Sequence, residues 1–172
     1  MIARLATFRR DTRGAAAVEF ALILPFLVFM HLAVVEFVQA WQVRTRVGHV
    51  AASIADVTSQ ARSVGDTDLA DIFKAGDAMM RPYPTTPLGE RITSLTANAQ
   101  GAVVVDWSVG RNFGAAPTPT VPANFLAPNE SVIVAEARYA YRPAISVFTL
   151  DEFTLSQAAY VRPRVSTKVE KR

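Results

Sequence analysis

The chain has 172 residues, 51% of them hydrophobic, and no cysteine, which excludes disulfide scaffolds, thiolate metal sites and cysteine nucleophiles. Its formal charge of +3 is concentrated at the start. Arg4, Arg9, Arg10 and Arg13 against Asp11 supply it within the first fourteen residues, leaving 14 basic and 14 acidic residues after Gly14. A neutral remainder argues against a nucleic-acid surface, which needs basic residues clustered on the folded part.

From Ala15 to Val35 runs an apolar stretch broken only by Glu19 and His31. Its roughly 21 residues would span about 31 Å as a helix, enough to cross a bilayer core. A cleaved secretory signal would place small residues after its apolar core. Here Gly14, Ala15, Ala16 and Ala17 precede it, so a retained membrane helix is expected. The arginines ahead of the run outweigh Arg44 and Arg46 beyond it. They keep the N-terminus cytoplasmic and send the C-terminal part across the membrane.

A carboxylate within such a segment needs a reason, because charged side chains are expensive in lipid. Glu19 either reaches back to the headgroups, pairing with Arg13, or neutralises an ammonium freed on Ala15 by cleavage after Gly14. It also suits the positive end of the helix dipole. Pro25 removes one helical hydrogen bond; it is either a tolerated membrane proline or a kink where the helix can bend. His31 reads as a group near the outer interface and Glu36 as the outer edge of the span.

Arg13-Gly14-Ala15-Ala16-Ala17-Val18-Glu19-Phe20-Ala21, followed by Leu24-Pro25, resembles the start of the TadE-like family, pilin-like proteins of bacterial tight-adherence (Tad/Flp) pilus systems. The resemblance implies that a prepilin peptidase cuts between Gly14 and Ala15. It makes Glu19 the acidic residue of the mature helix, retained in the inner membrane. It further implies partnership with other pilin-like subunits and platform proteins, in support of adherence and biofilm formation.

Beyond the membrane the helix should continue. Val43, Val47, Val50, Ile54 and Val57 form an apolar stripe, either the face packed on a sheet or a coiled-coil seam. Ala61 to Gly65 is the expected end. A second helix should run from Asp66 to about Met80, capped by Asp66 or Thr67. Its acids lack the glycine and terminal Glu of a calcium loop. Arg81-Pro82-Tyr83-Pro84 stops it.

Strands follow. Arg91 to Ala97 alternates poorly, Asn98 to Gly101 is a turn, and Val103, Val105, Trp107 and Val109 should share one face. Gly110 to Pro128, with four prolines, reads as a long loop pinned by Phe113 and Phe125 and as a candidate contact surface. Ser131 to Tyr141 is the clearest strand, placing Ile133, Ala135, Ala137, Tyr139 and Tyr141 together. Phe153 to Arg162 is the last, and Lys168 to Arg172 reads as a solvated tail. The patterns Tyr139-Ala140-Tyr141-Arg142-Pro143, Phe153-Thr154-Leu155 and Val161-Arg162-Pro163-Arg164 resemble the closing strands of TadE-like proteins.

The expected fold is therefore α+β and pilin-like: a long N-terminal transmembrane helix continuing into a soluble helix packed on a small antiparallel sheet. Residues 1–14 are read as a basic leader, 15–35 as the span, 36–65 as the helix continuation and 66–172 as the periplasmic domain. HExxH, phosphate-loop and nucleophile-elbow motifs do not occur, and Asp151 and Glu152 are adjacent rather than convergent. No enzyme, cofactor, metal or small-molecule substrate is expected. The competing expectation is an uncleaved single-pass anchor presenting a periplasmic binding module.

Overall fold

The computed structural model describes residues 14–114, 116–122, 125–144 and 151–172. The arginine leader, and with it the proposed Arg13–Glu19 pairing, lies outside the described residues. In chain order the elements are α1 (Ala15–Ser59), β1 (Ser63–Val64), α2 (Asp66–Met80), β2 (Leu88–Ala97), β3 (Val103–Arg111), β4 (Ser131–Tyr141), β5 (Phe153–Val161) and β6 (Glu170–Lys171). The class is α+β, with a long apolar N-terminal helix, a second helix and an antiparallel four-stranded sheet in the order β3-β2-β4-β5.

The 45 residues of α1 would extend about 68 Å. Residues 14–31 are exposed throughout, and burial begins around Leu32 and is complete at Glu36. From there Val43, Val47, Val50, Ala51, Ile54 and Ala55 enter the core, each at most 2% exposed. The next buried position is Thr58, not Val57, which is 51% exposed. The stripe thus follows a straight helix of 3.6 residues per turn, as packing on a sheet requires, rather than a heptad seam. The helix stops at Ser59, short of Ala61. The Thr58 hydroxyl donates to the Ile54 carbonyl (2.7 Å), and the Ser59 carbonyl accepts the Arg164 N–H (2.9 Å).

Helix α2 packs Leu69, Phe73, Gly76 and Met80 against α1. Its cap differs from expectation. Gly65 is the N-cap, and the Asp68 carboxylate accepts the Gly65 N–H at 2.8 Å. The acids that resemble a calcium loop are engaged: Asp66 with Lys171, Asp68 with Arg172 and Asp71 with Lys74.

The poorly alternating segment is one of the sheet's two inner strands, and it begins earlier, at Leu88. It is covered on both faces. Ile92 joins the main core under the helices, while Leu95 joins a second cluster with Val132, Val134, Val121 and Phe125. A strand buried on both sides has no polar face to alternate with.

The predicted common face of Val103, Val105, Trp107 and Val109 is interrupted by a bulge, because Ser94 pairs with Trp107 but Leu95 with Val105. Asp106 is the extra residue, and it accepts hydrogen bonds from Ser94 (3.3 Å) and Thr96 (2.5 Å). Trp107 and Val109 face the core, whereas Val103 and Val105 stay 47% and 40% exposed.

Two further expectations change. Gly110 and Arg111 belong to β3, so the loop starts after them. The loop is tied down: Arg91 donates to the Ala116 (3.0 Å) and Pro117 (2.8 Å) carbonyls, and the Phe113 ring packs on the guanidiniums of Arg91 and Arg138. The tail is not solvated throughout. Val169 is 1% exposed, its carbonyl accepts the Trp107 indole N–H at 2.8 Å, and β6 pairs in parallel with β1.

Candidate functional site

The N-terminal junction is built from residues close in sequence. Gly14 precedes the first turn of α1 with φ −81° and ψ −17°, and no described atom lies within 4 Å of where a Cβ would stand. Gly14, Ala15 and Glu19 are all exposed. The first turn of α1 carries no acidic residue and no side-chain cap, so its N–H groups keep the unmet demand common to helix starts.

Glu19 stands four residues, or about 6 Å of rise, beyond Ala15 and on the same helix face. Side chains on a helix lean toward its N-terminus, so the carboxylate leans toward the Ala15 backbone nitrogen rather than away from it. Glu19 makes no ion pair with a described residue. Helix α1 continues unbroken through Pro25, where the missing N–H leaves the Ala21 carbonyl without its helical donor. His31 is exposed on the same stretch. The helix is long and apolar enough to cross a membrane, and the qualifying window is 0% buried against the rest of the chain.

Glu36, expected at the outer edge of the span, is 7% exposed. It lies where α1 first meets the sheet, beside Tyr141 at the end of β4. Burial raises the Tyr141 phenol above its usual range, and the Glu36 charge adds to that. The Tyr141 hydroxyl is itself buried with no hydrogen-bond partner among the described residues.

A second ionic centre was not foreseen. Arg111 makes two 2.7 Å bonds to Asp77 of α2 and one of 2.5 Å to Glu90 of β2. Glu90 is fully buried, and its Oε1 receives no donor. Burial pushes its pKa up to about 7 although Arg111 opposes the shift. One guanidinium cannot neutralise two carboxylates, so a proton on Glu90 balances the cluster. Its sequence trace is Gly76: a Cβ there would stand 1.9 Å from Glu90 Oε1, so a side chain on α2 would displace the acid.

Among the described residues, no group of three or more His, Asp or Glu side chains is placed to hold a metal ion. The chemistry available is that of charge and apolar surface: an exposed junction, a carboxylate one turn above it, and an apolar helix leading to a buried acid.

No curated protein and no solved structure gave a significant match to the chain. The family model described as TadE-like protein matches residues 14–56, from the junction glycine to the last turn of α1. Over that segment, the part of the chain that carries Gly14, Ala15, Glu19 and Pro25, the chain is similar to TadE-like proteins.

Proposed function

We propose that the chain is a minor pilin-like subunit serving the biogenesis of a tight-adherence (Tad/Flp) pilus, and through it adherence and biofilm formation. The observation that carries this reading is the coincidence of the TadE-like match with the junction: the match begins at Gly14, and Glu19 stands one turn above Ala15. The chain inserts into the bacterial inner membrane with its arginine-rich end in the cytoplasm and its sheet domain in the periplasm. A prepilin peptidase removes residues 1–14. The new ammonium on Ala15 is then met by Glu19 of the same chain or of a neighbouring subunit.

A charge left alone in lipid is expensive and a paired one much less so, which gives the carboxylate its role in bringing subunits together. The partners are other pilin-like subunits and the platform proteins of the pilus machinery. The role is structural, with no enzymatic step and no small-molecule substrate.

Mass spectrometry of the mature N-terminus, in strains with and without the prepilin peptidase, tests the processing. Mature chains should begin at Ala15 only where the peptidase is present. A chain beginning at Met1 in both strains would refute it and leave an uncleaved anchor. Glu19→Gln should insert normally yet lower surface piliation at least several-fold. Wild-type piliation in that variant would remove the role given to the carboxylate.

A further inference from the structure

Where α1 leaves the membrane span it forms, with the ends of β4 and β5, an apolar crevice of about 250 Å3. Ala33, Glu36, Phe37 and Ala40 form its helical wall, and Tyr141, Pro143 and Phe153 the wall opposite. Tyr141 also lines a second, more polar crevice of about 460 Å3, to which Gln39, Arg142 and Glu152 contribute, the last two exposed and loosely paired at 3.4 Å.

The depth of this place follows from the helix. A span of 15–35 fills the hydrocarbon core, and the headgroup layer adds about 5–8 Å on each side. At about 1.5 Å per residue, Glu36 to Ala40 lie within that layer. Phe37 and Trp41, stacked at 6.4 Å and both more than half exposed, are the aromatic pair expected at such a boundary.

The crevice therefore adjoins the lipid-facing surface of α1: Ala33 still belongs to the span and Ala40 lies beyond it, with the nearly buried Glu36 as the one acid on that wall. Inside, Tyr141 is 5% exposed and its hydroxyl has no partner among the described residues. Buried hydroxyls ordinarily find an acceptor, so a bound group carrying one would complete the site. A bilayer phospholipid presents the required sequence of chemistry: methylenes for the Ala33–Phe37 wall, an ester carbonyl for the Tyr141 hydroxyl, and a phosphate for the side where Arg142 and Gln39 stand.

We propose that the crevice between α1 and the β4–β5 end of the sheet holds one bilayer phospholipid, with its ester region at the Tyr141 hydroxyl. The bound lipid joins the periplasmic domain to the membrane surface and sets the angle at which the sheet stands on the bilayer. The proposal rests on the reading of α1 as a membrane anchor.

The full chain is reconstituted in vesicles of phosphatidylethanolamine and phosphatidylglycerol containing a phospholipid with a diazirine near the carbonyl end of its acyl chain. After illumination, adducts are mapped by mass spectrometry, and native mass spectrometry in mild detergent counts retained lipids. The expected result is adducts both within residues 15–35 and on the peptides holding Tyr141 and Phe153, with one phospholipid retained per chain.

Ala33→Phe fills the crevice from its membrane end and should lower the strand adducts and the retained lipid at least fivefold. Tyr141→Phe should lower retention about fivefold, the equivalent of one neutral hydrogen bond. It should leave the lipid-stripped chain at least as stable as the wild type, since the hydroxyl has no partner there. Adducts confined to residues 15–35 would overturn the proposal while leaving the anchor intact. Adducts missing from that stretch as well would overturn both. Retention unchanged in both variants, or strand residues crosslinking to a second copy in place of lipid, would overturn it too.

Discussion

Replacing Glu90 by Gln gives a pH-dependent stability difference whose sign and size follow from the burial of the acid. The folded carboxyl holds its proton up to about pH 7, against 4.5 when unfolded. Between those values the folded chain binds more protons than the unfolded one, so stability falls as pH rises. The group is least costly below pH 4.5, and its full penalty is present once pH passes the folded value. At about 1.4 kcal/mol per pKa unit, the penalty is about 3 kcal/mol.

Gln keeps the shape and the acceptor for Arg111 but never ionises. Unfolding by urea in mild detergent, followed by Trp107 emission in a Trp41→Phe background, gives both stabilities. Wild-type stability minus that of Glu90→Gln should fall by about 3 kcal/mol between pH 4.5 and pH 8.5. A difference flat across that range, or one that rises, would refute the assignment of the buried proton to Glu90.

Three further outcomes follow from the packing. Gly76→Ala should destabilise by about 1–3 kcal/mol despite alanine's better helix propensity, because the new methyl meets Glu90 and Val50; the same urea titration measures it. Arg91→Ala removes the pair with Glu136 (2.5 Å) and both bonds to the loop carbonyls, leaving a nearly buried acid alone. A loss of about 3–5 kcal/mol and new proteolytic cuts within residues 112–122 should be seen by urea titration and limited digestion. Truncation after Ser166 uncovers Val64, removes the buried Val169 and deletes two backbone bonds that tie the tail to residues 62 and 64. It should cost about 3 kcal/mol, with a red shift of Trp107 emission as its indole loses the Val169 carbonyl.

What the sequence revealed depended on how far each signal reached along the chain. α2 was legible because it has one buried face and one wet face, and β4 because Glu136 and Arg138 alternate with Ala135, Ala137 and Tyr139, although Val132 and Val134 on the same side as those charges are buried too. β2 was obscure because loop residues such as Phe125 cover the face that would otherwise be polar. The flip of Val105 was hidden, since a bulge at Asp106 leaves no trace in a run of valines. The tail misled because four charged residues surround the single valine that anchors it. The junction residues, from Gly14 to Pro25, lie on one stretch of chain and were readable as a motif. The Glu90–Arg111–Asp77 centre and the Tyr141 crevice join residues from separate elements, and no local pattern announces them.

The composition of α1 connects these observations. Its exposed half is rich in bulky residues, with Phe20, Leu22, Ile23, Phe26, Leu27 and Phe29 between 41% and 75% exposed. Its buried half uses smaller ones, Val43, Val47, Val50, Ala51 and Ala55, and a Cβ at Gly48 would already stand 3.8 Å from the Gln157 side chain on β5. Lipid accommodates any apolar shape, so large side chains are favoured where it is the solvent. A sheet is a fixed surface, and a helix can approach it closely only by shedding volume. The change from one composition to the other falls near Glu36, where burial sets in. Helix α1 is thus a single rigid element written for two solvents, and the residues at the change, Glu36 and Tyr141 above all, are the ones that meet both.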